Sequence, residues 1–163
     1  MKIGRRAVAP EVGLIWDHRS GEERVTAARE RRHDGRMTDR ASLESELAAF
    51  MDEYERANNS HDISRVVPFI AEDAVYWFSD GSHRGIEEIR SAIEKTFARI
   101  LDEVYEVREL EWPVLTVDVA VCRYRFAWTG VVNGELRSGQ GRGTNVIVRR
   151  DGELKMLHEH LSS

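Results

Sequence analysis

The sequence predicts one α+β domain in which a curved antiparallel sheet packs against amphipathic helices. Two segments with helical periodicity, residues 38–62 and 85–104, lie in the first two thirds of the chain. Strand-like segments fill nearly all of the sequence after residue 104. Because the long helices precede the long strands instead of alternating with them, this order indicates α+β and not a parallel α/β sheet.

The first amphipathic segment carries apolar residues three and four positions apart, which is the spacing of one helical face. The stretch "ANNSHD" follows it and favours turns, since asparagine and serine side chains bond to nearby backbone. The pattern therefore predicts a helix that ends in this stretch. Its buried face consists of Leu43, Leu47, Phe50, Met51 and Tyr54.

The middle of the chain predicts a short helix, a strand and a long helix. The short helix lies in "ISRVVPFIAEDA" and is broken around Pro68. The strand is "AVYWF", whose β-branched and aromatic residues precede the turn "SDGS". The long helix, at 85–104, presents one apolar face. That face consists of Ile86, Ile89, Ile93, Phe97 and Ile100.

The last third of the chain alternates as antiparallel strands do. The pair Asp151-Gly152 in "RRDGE" is a strong hairpin signal. The run "GQGRGTN" lacks phosphate-loop spacing, so its glycines predict strong sheet curvature. In "VAVCRYRFAW" two sets of side chains alternate, and we expect the first inside and the second outside. The first set consists of Ala120, Cys122, Tyr124, Phe126 and Trp128, and the second set consists of Arg123 and Arg125.

Composition restricts the class of protein. The 163 residues include 41% hydrophobic and 33% charged residues, as in a globular domain. No segment approaches the ~18 apolar residues of a membrane span, so no membrane partner is expected. The single cysteine fits a reducing compartment, and we predict a cytoplasmic protein. The net charge of −5 argues against nucleic acid as a partner, because an acidic surface repels phosphates.

The first 36 residues differ from the rest. They carry nine Lys/Arg and six Asp/Glu, a balance of +3, whereas residues 37–163 carry fifteen and twenty-three, a balance of −8. We predict a flexible extension at 1–36, outside a domain that spans 37–163. Two alternatives stay open, which are a natural start at Met37 and a basic arm that contacts a partner.

The candidates for substrate binding are aromatic residues and one arginine. A cavity with aromatic walls suits a small apolar or cyclic molecule, and an arginine can bind an anionic group. Core packing is the alternative role of the aromatic residues. The candidates are Trp77, Phe78, Tyr124, Phe126, Trp128 and Arg142.

The final segment "KMLHEHLSS" contains two candidate acid–base residues, His158 and His160. In an uninterrupted strand they share the face of Met156, which we expect inside, and Glu159 points away. Hydrogen-bonded lining of a cavity is their alternative role. Zinc needs three or four ligands, and no spacing selects a third, so no metal site is predicted. Asp80 is a further acid–base candidate, although "SDGS" equally suits a turn-forming aspartate.

Two parts of the chain resemble SnoaL-like and ketosteroid isomerase-like domains of the nuclear transport factor 2 type. The first runs from "NNSHD" through "AEDA" to "GIEEIR", and the second is the ending "DGELKMLHEHLSS", with Leu154 where tryptophan is usual. The resemblance covers about residues 40–163. It implies a cystatin-like α+β barrel, a cone of curved antiparallel sheet closed by N-terminal helices and one long helix. A pocket lies at the open end of such a cone.

The resemblance also implies which positions of this sequence correspond to the catalytic residues of the isomerase. In the isomerase a tyrosine and a late-strand acid donate hydrogen bonds to an enolate oxygen, and a carboxylate moves the proton. The corresponding positions here are Tyr54, Asn145 and Phe78. Phenylalanine cannot accept a proton, so the known isomerase route lacks its base. Asp80, His158 or His160 would then handle the proton, while Tyr54 and Asn145 hold an oxygen.

Two function classes therefore remain open. The first is a small-molecule-binding domain, with cofactor-free isomerase, dehydratase or cyclase chemistry by proton transfer. The second is a non-catalytic dimerisation or ligand-sensing module that resembles kinase-association domains. The resemblance implies a homodimer in either case. An open cavity with converging polar groups favours the first class, and a cone filled by aromatic side chains favours the second.

Overall fold

In the computed structural model, the backbone is described for residues 18–163 and the side chains for residues 39–163. Residues 1–17 lie outside this part, so the predicted flexible extension at 1–36 stays a prediction. Residues Asp39–Ser163 form one compact unit. The elements are α1 (His18–Asn59), α2 (Ile63–Val66), a 3-10 turn (Val67–Phe69), β1 (Ile70–Phe78), β2 (Gly81–Arg84), α3 (Gly85–Arg99), β3 (Leu101–Leu115), β4 (Val119–Val132), β5 (Glu135–Arg150) and β6 (Glu153–Ser162).

The strands form one six-stranded sheet in the order β2-β1-β6-β5-β4-β3. Neighbours are antiparallel except for β1 and β6, which are parallel. The predicted α+β fold with a curved, cone-shaped sheet is confirmed. The expectation of a purely antiparallel sheet is corrected at one junction, where β1 and β6, the first and last strands along the chain, pair side by side.

The helices bury the faces that their periodicity predicts. In α1, Leu47, Met51 and Tyr54 are nearly inaccessible to solvent, and in α3 Ile89 and Ile93 are buried. These side chains form one apolar cluster with inner-face residues of the sheet. The core thus lies between the helices and the concave face of the sheet.

The boundaries of two helices differ from the prediction, because α1 begins at His18 and not at residue 38, and α3 ends before residue 104. Helix α3 ends at Arg99, and the backbone N–H of Ile100 closes the last turn on the carbonyl of Thr96. Residues 101–104, predicted as helix, begin strand β3 instead. Ile100 is already extended, at φ −111° and ψ 100°, so the chain leaves the helix without a loop.

A row of glycines on β5 faces a row of aromatic rings on β4. Gly139, Gly141 and Gly143 pair directly with Trp128, Phe126 and Tyr124. A Cβ atom at any of these glycines would overlap the opposite ring. The glycines therefore let the rings lie flat over the neighbouring backbone, which leaves space above them. These three pairs of a glycine and a ring form the part of the sheet that borders a cavity.

Candidate functional site

The inner face of the sheet and the helices α1 and α3 enclose a cavity of about 570 Å³. Its walls combine aromatic and aliphatic side chains with a few polar groups. Such a volume and lining are typical of sites for small molecules. The aromatic part of the lining consists of Tyr54, Phe78, Phe97, Tyr105, Phe126 and Trp128.

The carboxyl of Glu159 is the most enclosed carboxyl of this cavity. Glu159 lines the cavity yet is only 3% exposed. One carboxyl oxygen accepts a hydrogen bond from the Tyr54 hydroxyl at 3.0 Å. The other accepts from the Tyr124 hydroxyl at 3.0 Å and from the Asn145 amide at 3.4 Å. Three neutral donors therefore hold this carboxyl, and within residues 39–163 no cation pairs with it.

Burial governs the proton affinity of this cluster. Loss of solvent raises the pKa of the Glu159 carboxyl, although the bonds from Tyr54, Tyr124 and Asn145 act in the opposite direction. Burial, with the negative charge of Glu159, also raises the pKa of the Tyr54 and Tyr124 hydroxyls. The phenols therefore stay protonated, and both act as hydrogen-bond donors to the carboxyl.

A β-bulge in β6 explains why Glu159 points inward. Ile147 of β5 pairs with Met156, but the adjacent Val146 pairs with His158, so Leu157 is an extra residue on β6. One extra residue reverses the alternation of the side chains that follow it. Met156 and Glu159 are therefore both buried, although they are three positions apart.

The prediction that His158 and His160 face the interior is consequently wrong. Both rings pack edge-on against Trp77, with ring centroids 4.9 Å and 5.7 Å away. Trp77 is 47% exposed, and a ring nitrogen of His158 bonds to the carbonyl of Val75. The two histidines and Trp77 thus lie on the outer face, and Trp77 is not a wall of the cavity.

Asn145 and Tyr124 are placed differently from the expectation. The sequence predicts that Tyr54 and Asn145 hold an oxygen of a substrate, but their donors are directed at the Glu159 carboxyl. Asn145 is fully buried, and Tyr124 also bonds to its amide oxygen at 3.2 Å. Tyr54 lines the cavity, whereas Tyr124 and Asn145 support Glu159 from behind.

Of the remaining candidates, Phe78, Phe126 and Trp128 line the cavity as predicted. Arg142 is exposed and pairs across the strands with Arg125 on the outer face, so a contact with a molecule in the cavity is not supported. The alternation on β5 explains this, because the inward positions are taken by the glycines on either side of Arg142.

Asp80 lies in the turn between β1 and β2, at the edge of the cavity. Its carboxylate bonds to the ring of His83 at 3.1 Å, and this bond lowers the pKa of Asp80. Asp80 is thus an exposed, readily ionised carboxylate. Both roles that the sequence left open, turn former and acid–base residue, are compatible with this position.

Two carboxylic acids of the cavity lining escaped the sequence analysis, Glu159 and Glu103. Glu159 was placed on the wrong face because the strand was taken as uninterrupted. The adjacent apolar pair Met156-Leu157 is the signal of the bulge, since it begins a second alternating set with Glu159 and Leu161. Glu103 was assigned to the end of α3, where a glutamate is an ordinary surface residue.

Comparison with known proteins identifies the family of this domain. A family model described as SnoaL-like domain matches residues 47–163, and the chain belongs to this family. No curated protein matches the sequence.

Within the described residues, no helix is long and apolar enough to span a membrane. The cytoplasmic location and the homodimer stay predictions.

Solved structures share the fold at low sequence identity. A nuclear transport factor 2-like superfamily protein from Salmonella enterica is 16% identical at a TM-score of 0.69, over 76% of this chain and 92% of that one. A protein from Novosphingobium aromaticivorans, named provisionally as a scytalone dehydratase, is 15% identical at 0.67, over 76% and 86%. A Xanthomonas campestris protein, named provisionally as a calcium/calmodulin-dependent protein kinase II association domain, is 24% identical at 0.65, over 72% and 85%.

Proposed function

We propose that the cavity binds a small, neutral, largely apolar cyclic molecule and that Glu159 exchanges a proton with it, without a cofactor. The reaction class is isomerisation, dehydration or cyclisation. The observation that carries the proposal is the Glu159 carboxyl, buried in the cavity wall and held by Tyr54, Tyr124 and Asn145 without a cationic partner in the described part of the chain.

The chemistry follows from the environment of this carboxyl. A carboxyl whose pKa is raised by burial holds its proton more readily than an exposed carboxyl and can donate that proton to an oxygen of the substrate. Its phenol and amide donors stabilise the carboxylate that remains after the transfer. The same donors fix its orientation, so that proton transfer needs no rearrangement of the site.

The neutral character of the ligand is inferred from the lining. Aromatic rings form much of the wall, and the Glu159 carboxyl supplies no positive charge that could pair with an anion. The charged residues Lys95 and Arg99 belong to the exposed end of α3, where they line the edge of the cavity. A neutral ring with one carbonyl or hydroxyl group therefore fits this cavity best.

Deuterium exchange at the carbon atoms next to the carbonyl of cyclohexanone tests the proposal. Exchange in D₂O requires removal and return of a proton, and proton NMR follows it directly. We expect the protein to accelerate the exchange and Glu159→Gln to reduce the acceleration by roughly a hundredfold, because general acid–base groups contribute effects of this size. Glu153→Gln, an exposed position of the same strand, is the matched control.

Equal exchange rates for the wild-type protein and Glu159→Gln would contradict the proposal. The rival function, a non-catalytic assembly or sensing module, predicts this result. The kinase-association name of one structural relative is the observation that favours the rival. The open cavity and its buried carboxyl favour proton transfer, because an assembly module has no use for an ionisable group without a cationic partner.

A further inference from the structure

A second carboxyl, that of Glu103, faces the same cavity from strand β3. Its side chain is half-buried, and Tyr105, two residues further along the strand, lines the cavity beside it. Burial raises the pKa of the Tyr105 hydroxyl, and the negative charges of Glu159 and Glu103 raise it further. Tyr105 therefore lies within electrostatic reach of both carboxyls, which places them around one space.

The backbone at Glu103 departs from regular strand geometry. Leu101 pairs with Val131 and Val104 with Thr129, so β3 has one residue more than β4 between these pairs. Asp102 takes up the extra length with φ 51°, a conformation that non-glycine residues rarely adopt. Bulges and strained residues of this kind are concentrated at functional sites, where they direct a side chain.

The opposite strand is adapted to this bulge. Gly130 is buried against it, and a Cβ atom at this position would lie 2.5 Å from Ile100 Cγ2 and 3.2 Å from Glu103 Cα. The first distance is shorter than real Cβ contacts, and the second would require the backbone at Glu103 to shift. The absence of a side chain at Gly130 thus permits the bulge, and the bulge keeps Glu103 on the inner face in phase with Tyr105.

The two carboxyls have different surroundings. Three donors hold the Glu159 carboxyl, whereas within residues 39–163 the Glu103 carboxyl accepts no hydrogen bond. Burial raises the pKa of Glu103 to about 7, and the charge of Arg99 opposes this shift. When two titratable groups in one cavity have different environments, their pKa values differ, and one group can act as the acid while the other acts as the base.

We infer that Glu103 is the catalytic base of this cavity and that its substrate is a neutral cyclic ketone with a C–H bond next to the carbonyl. The inference rests on the proposed function. The carboxylate of Glu103 takes the proton, and the electron pair of the broken C–H bond forms a carbon–carbon double bond. The carbonyl oxygen takes the proton of Glu159, and the product is an enol.

In a ketone with a carbon–carbon double bond beyond this C–H bond, Glu103 returns its proton to the far carbon of the conjugated system and the enol returns its proton to Glu159, which completes an isomerisation. In a ketone with a hydroxyl group on the next carbon, this group leaves as water with the proton of Glu103 and the enol returns its proton to Glu159, which completes a dehydration. Either course restores the protons of both carboxyls. The base is therefore on the strand after α3, and not at Phe78 on β1.

Several ionisable groups line the cavity together with Glu103 and contribute to its titration. Strand β4 faces Glu103 with Gly130 and Trp128, which carry no charge. The groups on the other elements are Tyr54 on α1, Asp80 in the β1–β2 turn, Lys95 and Arg99 on α3, Tyr105 on β3 and Glu159 on β6.

The pH dependence of cyclohexanone exchange in the full chain tests this inference. We measure rates from about pH 5 to about pH 9, a range that brackets the raised pKa of Glu103. In the wild-type protein the rate should rise with pH through an inflection at about 7, because only ionised Glu103 accepts a proton. Glu103→Gln should lose this inflection and roughly a hundredfold in rate. Glu106→Gln, on the opposite face of β3, should retain both.

The variants separate the two proposals. If Glu159→Gln is inactive while Glu103→Gln keeps the wild-type rate and inflection, the assignment of Glu103 is overturned and the proposed function stands. If wild type, Glu103→Gln and Glu159→Gln all exchange at the background rate, both proposals are overturned. A backbone NMR spectrum of Glu103→Gln that matches the wild type ensures that a lost rate reflects the carboxyl and not the fold.

Discussion

The carboxyl groups on the two faces of the sheet have different partners. On the outer face, carboxylates and guanidinium groups pair across the strands, as Arg123 does with Glu111 at 2.8 Å and Arg125 with Glu109 at 2.9 Å. On the inner face, Glu159 is held by neutral donors and Glu103 by no hydrogen bond within the described residues. The same residue type is thus exposed and paired with a cation on one side, and removed from solvent without a cationic partner among the described residues on the other.

The difference follows from solvent. The side chains of Arg123 and Glu111 are 62% and 65% exposed, and water screens their charges whether or not they pair. The Glu159 carboxyl has lost its water, so its ionisation depends on Tyr54, Tyr124 and Asn145. A site for proton transfer needs the second situation, because only there does a small change in surroundings alter proton affinity strongly.

The largest expected effect concerns the backbone that supports the inner face. Gly143→Val places a side chain where the Tyr124 ring lies, and the ring cannot move without releasing Glu159. We expect a loss of about 3 kcal/mol in the free energy of unfolding, measured by urea denaturation. Thr144→Val, the next residue, points to the outer face and should change the free energy by less than about 0.5 kcal/mol. Similar losses for both variants would contradict the distinction between the faces.

A smaller effect should follow from Glu103. Burial raises its pKa from 4.5 to about 7, so the folded state disfavours the ionised form. The favourable effect of its protonation is complete below the unfolded-state pKa and is lost as pH rises through about 7. A shift of this size corresponds to about 3 kcal/mol, which solvent screening of a half-buried carboxyl should reduce to about 1 kcal/mol.

The measurement compares the wild-type protein with Glu103→Gln by urea denaturation at acidic and alkaline pH. Relative to the wild type, Glu103→Gln should gain about 1 kcal/mol as pH rises from about 4 to about 8. Glu106→Gln on the opposite face of β3 is the matched control. A difference between wild type and Glu103→Gln that is constant over this range would show that Glu103 is solvated like an outer-face carboxylate.

Local patterns in the sequence were sufficient for the fold. The helical spacing that includes Leu47 and Tyr54 identified the buried face of α1, and the alternation along β4 identified which residues face inward. The pair Asp151-Gly152 forms the predicted turn, with φ 52° and 87°. These features depend on a few consecutive residues, which is why they can be read without knowledge of the tertiary structure.

The site could not be read in the same way, because two irregularities of the sheet decide it. The bulge at Leu157 reverses the direction of Glu159 and the histidines, and the bulge at Asp102 follows directly on the end of α3. Both depend on the pairing with a neighbouring strand and not on local preference. The partner of Glu159 on α1, Tyr54, is 105 residues away in the sequence.

The smallest expected effect concerns the outer face itself. A double-mutant cycle of Arg123→Gln and Glu111→Gln measures the coupling of the ion pair without the separate effects of each substitution. Because both side chains are largely exposed, we expect a coupling of about 0.3 kcal/mol that decreases as salt is added. A coupling above about 1.5 kcal/mol, unchanged by salt, would mean that this pair is shielded from water. The outer face would then be covered in solution, and its charges would resemble those of the cavity more than the exposed side chains indicate.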